Sequence, residues 1–446
     1  MHNKTKLLIF ASLLLAACST DPMQEIPNRG DSAPEIETSG KICNTSDDAV
    51  AGSLIVKFGE EAIPSLEQNA LNAAKTRSAL TRSGIESVDD ILNDLHVTSL
   101  ERVFPEAGEH EARTRAAGLH RWYVLGFASE EDLDKAAERL AGVAEISKVQ
   151  FRTRLYRASD CKTYPFQATA NGQTRALVTA DFNDPNLFWQ WHYINNADQA
   201  VATTSVAGAD INVADAWKLT AGNPEVIVAI VDEGVKYTHP DLAANMWINP
   251  NPSPEYGKQD IHGWNFVTDG PISWGQKGDS GHGTHVAGTV AAVNNNGIGV
   301  CGVAGGTGKG DGVRLMSCQI FSGDLTGDAL VSSRAVKYAA DHGASILQCS
   351  WGIKAGIYTS DNMFIKQSPM DYEALQYFAA QKNCEALDGG LIIFPPATNR
   401  QPCPAIRQAI VIISPSPRSR PTTCRPIIPT TVPAVISRLP AAKRAV

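Results

Sequence analysis

Three features are scarce or missing in this sequence, and each excludes a kind of structure or a class of partner. After the first seventeen residues no apolar run is long enough to span a bilayer, so no transmembrane helix is predicted beyond that point. Basic residues are fewer than acidic ones, and the resulting formal net charge of −8 argues against a nucleic-acid partner. From Pro395 to Val446 there is no glycine and no acidic residue, and eleven prolines argue against a central β-strand there.

What is present begins with an export signal. Two lysines precede an apolar stretch over 7–15 that is too short for a membrane span, and Leu-Ala-Ala-Cys follows. This tetrapeptide resembles a bacterial lipobox, which implies that residues 1–17 are removed and that Cys18 receives a lipid. We therefore expect an exported, cell-envelope lipoprotein that contacts a membrane through the lipid on Cys18. The alternative is an ordinary secretory signal with an incidental cysteine.

The most informative stretch is residues 281–292, which read GHGTHVAGTVAA. Two histidines three positions apart lie between glycines, and the small residues that follow favour a tightly packed helix. His282, at the mouth of that helix, is suited to general-base chemistry because histidine titrates near neutral pH. A single histidine in such a place is more often structural, so this motif alone does not assign a function.

A second stretch supplies a partner for this histidine. Residues 226–231 form a continuous apolar run, typical of a buried parallel strand, and Asp232 follows at the end where such sheets meet their ligands. Together the two motifs resemble those of the subtilisin-like serine peptidases (subtilases). The resemblance implies that Asp232 orients and stabilises the imidazole of His282, which deprotonates a serine. Glu233 stands where the family has serine or threonine, which we interpret as a mild departure.

The composition and the resemblance together predict the domain organisation. Residues 18–48 are polar and aperiodic, as expected of a tether. Residues 49–156 show the β-α-β-β-α-β order of a ferredoxin-like α+β domain. Ahead of a subtilase core this domain resembles the family's propeptide, an intramolecular partner that assists folding and inhibits; an independent binding module is the alternative. Residues 157–207 are then the junction and mature N-terminal segment, and 208–394 a partial catalytic domain with an α/β three-layer parallel sheet.

Two further segments resemble binding parts of the family. Residues 345–352, SILQCSWG, are predicted to form one strand whose backbone pairs with an extended peptide. The resemblance assigns substrate binding there to Ser350, Trp351 and Gly352. The loop at 293–304 resembles a structural calcium site, because asparagine and carbonyl oxygens are hard ligands that calcium prefers. The implied ligands, some through backbone carbonyls, are Asp241, Asn294, Asn296, Ile298 and Val300. A turn-rich loop without metal is the alternative.

The resemblance stops after Phe394. The family continues with Ala-Ala-Gly-Asn, whose asparagine binds the oxyanion, whereas this chain has Pro-Pro-Ala-Thr at 395–398. The motif around the nucleophile, Gly-Thr-Ser-Met-Ala, occurs nowhere in the 446 residues. Deleting one base converts codons for Ala-Ala-Gly-Asn into codons for Pro-Pro-Ala-Thr, and three later segments convert similarly. Residues 395–446 are therefore predicted to be an aberrant, frameshifted tail on a truncated domain; a natural basic, proline-rich tail is the alternative.

By resemblance, the function is that of a serine-type endopeptidase that acts on peptides or proteins through Asp-His-Ser. This chain is expected to be inactive, because the serine and the oxyanion asparagine are missing. Two other functions stay open. One alternative function is that of a catalytically inactive peptide-binding protein. The other is inhibition of proteases by the N-terminal domain.

Overall fold

The computed structural model describes most of the chain between Gly40 and Pro395 and two residues of the tail, namely 40–76, 78–128, 131–157, 182–197, 206–354, 357–358, 360–395 and 410–411. The export signal, Cys18 and the tether up to residue 39 lie outside the described residues, as does Thr398. Across the described ranges, no helix has the length and apolar character needed to cross a bilayer.

The N-terminal domain is an antiparallel sheet with helices. Its strands are β1 (Ala49–Phe58), β2 (Ser99–Arg102), β3 (Trp122–Gly126) and β4 (Ile146–Thr153). Its helices are α1 (Ile63–Thr76), α2 (Glu86–Asp94), α3 (Glu111–Ala116) and α4 (Leu133–Ala141). The strand order β2-β3-β1-β4, with antiparallel neighbours throughout, is that of a ferredoxin-like domain. The helices α2 and α3 are additions to the predicted order.

The two faces of this sheet bury different partners, because successive strand residues point to opposite sides. Leu54 and Val56 pack against the helices of their own domain, together with residues such as Leu66. Ile55 and Trp122 belong to another apolar cluster, which they share with the region after residue 206. The second face of the sheet is therefore an interface within the chain.

The region after residue 206 is built on a mostly parallel sheet. The strands from the end of the N-terminal domain onward are β5 (Tyr156–Arg157), β6 (Ile227–Glu233), β7 (Gly263–Asn265), β8 (Arg314–Ser322), β9 (Leu325–Thr326), β10 (Ile346–Cys349), β11 (Trp351–Gly352), β12 (Leu391–Ile393) and β13 (Ile410–Val411). The helices are α5 (Val213–Trp217), α6 (His282–Ala291), α7 (Ala329–Asp341), α8 (Asp361–Gln367) and α9 (Pro369–Ala379). The sheet order is β13-β12-β10-β6-β8-β7, parallel except for β13, and β9 pairs antiparallel with β8.

Alternate residues of β6 show that helices cover both sides of this sheet. Val228 packs with Ala287 and Ala291 of α6. Val231 points the other way, into the cluster that contains α7 and α9. The result is a helix–sheet–helix arrangement, so the predicted α/β fold class is confirmed.

Buried polar contacts hold the N-terminal domain on α7 and α9. Nζ of Lys57 lies 2.6 Å from Oε1 of Glu373, and Nε1 of Trp122 donates to Oε2 of the same carboxylate at 2.8 Å. Arg152 forms an ion pair of 2.6 Å with Asp328, the residue that caps the N-terminus of α7. Apolar packing and ion pairing therefore act together at this interface.

Two predicted elements differ from the structure. The sequence pattern predicts a helix over 208–224 that ends near Gly222, but only the short α5 forms within it; it starts after Asn212, whose positive φ of 52° interrupts a helix there. The prediction of one strand over 345–352 is wrong: β10 ends at Cys349, and β11 starts after one residue and pairs antiparallel with β5. By leaving the main sheet, β11 offers its backbone to a second segment.

Candidate active site

The carboxyl end of β6 and the N-terminus of α6 bring Asp232 and His282 together. Nδ1 of His282 lies 2.8 Å from Oδ1 and 3.0 Å from Oδ2 of Asp232. Both side chains are buried, with 2% of the Asp232 side chain and 10% of the His282 side chain exposed. A carboxylate on Nδ1 fixes the orientation and the tautomer of the ring, which leaves Nε2 as the nitrogen that can accept a proton.

The pair changes the acid–base chemistry of both members. The hydrogen bond with Asp232 raises the pKa of His282, although burial of the ring opposes this rise. Burial raises the pKa of Asp232, and the hydrogen bond with His282 lowers it. The raised pKa of His282 is the direction that the geometry supports, because a carboxylate at 2.8 Å stabilises the imidazolium form. The imidazole is therefore a stronger base than that of an isolated histidine.

Glycine is needed where α6 approaches β6. A Cβ atom on Gly283 would lie 2.0 Å from the carbonyl oxygen of Glu233, so a larger residue would push the helix away. Gly281, directly before the helix, has a φ of 76°, which glycine adopts without strain. The two glycines thus allow the close approach that places His282 beside Asp232.

Glu233, which stands out in the sequence only as a departure from the family pattern, has a structural role beside the Asp232–His282 pair. Only 1% of its side chain is exposed. Its carboxylate accepts hydrogen bonds from the backbone amides of Ser280 at 3.2 Å and His282 at 3.0 Å, and from Oγ of Ser280 at 3.1 Å. These hydrogen bonds stabilise the turn that leads into α6. The sequence does contain a signal for this role, namely an acidic residue at the end of an apolar strand. A carboxylate buried there requires several hydrogen-bond donors around it.

A segment of the chain itself, β5, pairs with the predicted substrate-binding strand. Of the predicted substrate-binding residues, Trp351 and Gly352 form β11, and Ser350 directly precedes it. In the antiparallel pair, Trp351 is opposite Arg157 and Gly352 is opposite Tyr156. Nε of Arg157 also lies 2.7 Å from Oε1 of Glu233, which links this segment to the turn before His282. The structure thus connects the predicted substrate strand to the Asp232–His282 pair.

The predicted calcium ligands gather around one loop. Nδ2 of Asn296 donates to Oδ1 of Asp241 at 2.8 Å, and the amide of Val300 donates to Oδ2 at 2.9 Å. The amide of Ile298 donates to Oδ1 of Asn296 at 2.9 Å. The side-chain oxygen of Asn294 accepts from another backbone amide of the loop at 2.8 Å. Four of the five predicted ligands are therefore joined in one hydrogen-bonded network around Asp241 and Asn296.

A second carboxylate, which the sequence analysis did not select, reaches the same loop. Asp184 accepts a hydrogen bond from the amide of Asn295 at 2.6 Å. Burial raises the pKa of Asp241, and the charge of Asp184 raises it further. Two neighbouring carboxylates fit a hard cation, provided that the amide of Asn296 turns its oxygen towards them. Such a site would depend on amide and carbonyl oxygens, since no cluster of three His, Cys, Asp or Glu side chains suited to a metal occurs in the described ranges.

The region expected to carry the oxyanion donor is described only in part. After β12 the structure follows the chain to Pro395, and of the later residues it describes β13 alone, which pairs antiparallel with β12. Ile392 lies opposite Val411 in this pair. The edge of the sheet is therefore occupied by tail residues, and Thr398 is not among the described ones.

Comparisons with known proteins agree with the two motifs. Residues 223–423 match the model of the subtilase family, so the match continues past Phe394, where the motif comparison ends. Neuroendocrine convertase 2 of Bos taurus is 32% identical over 243 residues, which are 52% of this chain and 34% of that protein. Halolysin of Haloferax mediterranei is 32% identical over 186 residues, 42% of this chain and 29% of the relative. Protease KEX1 of Kluyveromyces lactis is 28% identical over 276 residues, 60% of this chain and 30% of that protease.

The chain thus spans about a third of the length of these relatives. Among solved structures, fervidolysin of Fervidobacterium pennivorans, a keratinolytic enzyme related to subtilisin, aligns with a TM-score of 0.47 at 18% identity. That alignment covers 80% of this chain and 42% of fervidolysin. The family match spans both segments that form the buried Asp232–His282 pair, and together with these relatives it supports a subtilisin-like peptidase of the subtilase family.

Proposed function

We propose that this chain is a subtilase-type serine endopeptidase module whose peptide-binding edge is closed by its own N-terminal domain. We further propose that the 446-residue chain binds a peptide segment at that edge without hydrolysing it. The observation that carries the proposal is the antiparallel pairing of β5 with β11. Strand addition is a general mode of peptide recognition, in which backbone hydrogen bonds supply affinity. Tyr156 and Arg157 take the place of the peptide and exclude another one.

The chemistry assigned to the family uses the two residues that the structure brings together. Asp232 holds the ring of His282, and the imidazole accepts the proton of a serine hydroxyl as the serine oxygen bonds to the peptide carbon. The same proton then passes to the leaving amine as the carbon–nitrogen bond breaks. In this scheme Asp232 stays ionised and stabilises the imidazolium.

The absence of hydrolysis is proposed from the two missing motifs. In subtilisin, removal of the serine lowers kcat roughly 10⁶-fold. Removal of one oxyanion donor lowers it roughly 10²–10³-fold. The present sequence contains neither Gly-Thr-Ser-Met-Ala nor Ala-Ala-Gly-Asn. His282 can therefore be correctly held and still lack a hydroxyl to deprotonate.

The N-terminal domain has the contacts expected of a propeptide that is an intramolecular partner. Trp122 is fully buried, although it lies on the face of the sheet that is directed away from the helices of its own domain. Removal of the domain would expose this ring together with the apolar surface of α7 and α9. Burial of that surface supports a role in folding, and β5 supports a role in inhibition.

Two further proposals concern a bound calcium ion and a lipid anchor. A structural calcium ion is proposed between the carboxylate of Asp241 and the loop of Asn296, supported by the second carboxylate of Asp184 in contact with that loop. Export as a lipid-anchored envelope protein is proposed from the Leu-Ala-Ala-Cys sequence that ends at Cys18. These proposals do not affect the chemistry of the site.

Hydrogen exchange tests whether β5 closes the edge. Tyr156→Pro removes a backbone N–H from β5, whereas Tyr156→Phe keeps the backbone and removes only the hydroxyl that bonds Asp48. We expect backbone amides of 351–354 to exchange faster in the proline variant and at the wild-type rate in the phenylalanine variant. Equal, fast exchange in all three proteins would show that the edge is open, and would contradict the proposal.

A further inference from the structure

We propose that the C-terminal ends of α7 and α9 form a guanidinium-binding site, through which the region after residue 206 recognises Arg113 of its own N-terminal domain. The inference rests on the proposed function only in treating that domain as an intramolecular partner. It adds the residue that selects the partner. This residue lies on α3, a helix that is an addition to the predicted ferredoxin-like order.

The site lies at the edge of the parallel sheet opposite the one that carries Asp232. The helix α7 follows β8 and precedes β10, and both of these strands are parallel to β6. It therefore runs from the carboxyl ends of the strands to their amino ends, and its last residue, Asp341, lies at the amino-terminal edge. Shortly after it, the amide of Ser345 donates to the carbonyl oxygen of Ile227, the first residue of β6, at 2.8 Å. The site is thus separate from the Asp232–His282 pair.

Arg113 uses all three nitrogen atoms of its guanidinium group in this site. Its Nε donates to the hydroxyl of Tyr377 at 2.7 Å, and its Nη1 donates to Oε1 of Gln381 at 2.8 Å. Its Nη2 donates to Oδ1 of Asp341 at 2.7 Å. The three acceptors surround a planar, forked group, whereas the single nitrogen of a lysine cannot reach all three positions at once. The arrangement therefore selects arginine.

Contacts within the region after residue 206 hold these acceptors in place. The hydroxyl of Tyr377 donates to Oδ1 of Asp341 at 2.5 Å, and Nζ of Lys337 lies 2.5 Å from Oδ2 of the same carboxylate. Nε2 of Gln381 donates to the carbonyl oxygen of Tyr377 at 2.9 Å. Only 8% of the Asp341 side chain is exposed. Acceptors that are already fixed lose little conformational freedom on binding, so the site is assembled before Arg113 enters it.

The charges around the site favour a second cation beside Lys337. Lys337 already balances the carboxylate of Asp341. The C-terminal ends of α7 and α9 each carry roughly half a negative charge in addition, because their last carbonyl groups have no partner within the helix. Arg113 places one positive charge where both helices end, and its Nη2 lies 3.5 Å from the carbonyl oxygen of Ala340 in the last turn of α7. The guanidinium therefore complements both helix ends.

The helix α3 presents Arg113 in a fixed orientation. Glu111 forms ion pairs with Arg102 of β2 at 3.2 Å and with Arg115 at 2.9 Å. Arg115 also pairs with Glu67 of α1. These contacts attach α3 to the sheet and to a helix of its own domain. A ferredoxin-like domain without α3 would keep the apolar face but lose the arginine. We therefore infer that this domain binds in trans only to proteases with the same three acceptors at these helix ends.

Hydrogen exchange of the full chain tests the inference at segments on both sides of the contact, 111–117 and 338–344. We expect Arg113→Ala to accelerate exchange in both segments about tenfold or more, because it removes three charge-assisted hydrogen bonds. Arg113→Lys should lose most of the protection as well, since it keeps the charge but not the fork. Arg139→Ala breaks an ion pair with Asp94 inside the N-terminal domain, and this matched control should leave both segments unchanged. Wild-type exchange in Arg113→Lys would overturn the inference.

Two small cations test the selectivity of the site in the Arg113→Ala protein. Ethylguanidinium carries the end group of arginine, and ethylammonium carries that of lysine. At concentrations that leave the wild type unchanged, we expect ethylguanidinium to restore slow exchange in 338–344 and ethylammonium to have no such effect. Equal effects of the two cations, including no effect of either, would overturn the inference.

A double-mutant cycle decides if Arg113→Ala does not fold. We expect Gln381→Ala to accelerate exchange of 111–117 in the wild-type background and to have little further effect in Arg113→Lys, because the lysine does not reach Gln381. Fully additive effects would refute the site. Exchange of 351–354 separates this inference from the proposed closure of β11. If that edge is open while the Arg113 variants accelerate 111–117, only the closure is wrong. If the edge is closed while those variants exchange like the wild type, only the guanidinium site is wrong.

Discussion

Nδ1 of His282 lies 2.8 Å from Oδ1 of Asp232, although fifty positions separate the two residues in the chain. This hydrogen bond raises the pKa of His282, so the imidazolium is more stable in the folded chain than in the unfolded one. Its contribution to the free energy of unfolding is therefore fully present below the ordinary histidine pKa of about 6.5. The contribution is lost as the pH rises through the raised pKa of the folded state.

We expect Asp232→Asn to lower the pKa of His282, because the asparagine side chain carries no charge to stabilise the imidazolium. The measurement is an NMR titration of the His282 ring in the two proteins. Asp324→Asn, which removes an exposed carboxylate, is the control and should leave the titration unchanged. A His282 pKa that is the same with and without Asp232 would contradict the assigned hydrogen bond.

Two glycines of α6 give opposite predictions for the same substitution. Gly283→Ala places a methyl group against the backbone of Glu233, and such overpacking costs about 1–3 kcal/mol. Gly288→Ala meets nothing within 4 Å and should stabilise the helix by up to about 1 kcal/mol. Urea unfolding of the two variants measures both free energies. A Gly283→Ala protein as stable as the wild type would show that α6 does not need this close approach.

The interface of the N-terminal domain is tested at Glu373. Glu373→Ala leaves Lys57 largely buried without its charge partner and removes the acceptor of Trp122, which should destabilise the chain by about 3–5 kcal/mol. Glu385→Ala breaks an exposed ion pair with Lys382, whose expected worth is about 0–1 kcal/mol. Urea unfolding distinguishes the two, and equal effects would mean that the Lys57–Glu373 contact does not hold the domain.

The proposed calcium ion is tested by thermal unfolding in calcium and in chelator. An ion that binds only the folded chain stabilises it by about 2.7 kcal/mol at a hundredfold excess over Kd, which raises Tm. Asp241→Asn should abolish most of that rise. Magnesium is the control cation, since it prefers a smaller octahedral site. Identical Tm values in calcium and chelator would exclude the site.

The sequence alone predicted those parts of the molecule that depend on short, periodic patterns. The apolar run before Asp232 and the small residues after His282 predicted β6 and α6, since buried strands and tightly packed helices require such residues. The α/β class follows from the same patterns. The close approach at Gly283 is also encoded locally, because only glycine permits it.

What the sequence did not reveal depends on contacts between distant segments. Nothing local to Glu233 indicates that Arg157 will reach it, since 76 positions separate them. The break between β10 and β11 was missed for the same reason, because β11 leaves the main sheet to pair with β5. Asp184 likewise reaches the 294–300 loop only through the tertiary fold.

The central proposal is that the 446-residue chain closes its peptide-binding edge with its own segment and does not hydrolyse peptides. The most direct measurement is a hydrolysis assay of the purified full chain on a mixture of fluorogenic peptides, with His282→Ala in parallel. Tyr156→Pro is included so that a closed edge does not hide activity. We predict that all three proteins show the same background rate. Peptide hydrolysis by the wild type or by the Tyr156→Pro variant would contradict the account if adding His282→Ala to that same protein abolished it.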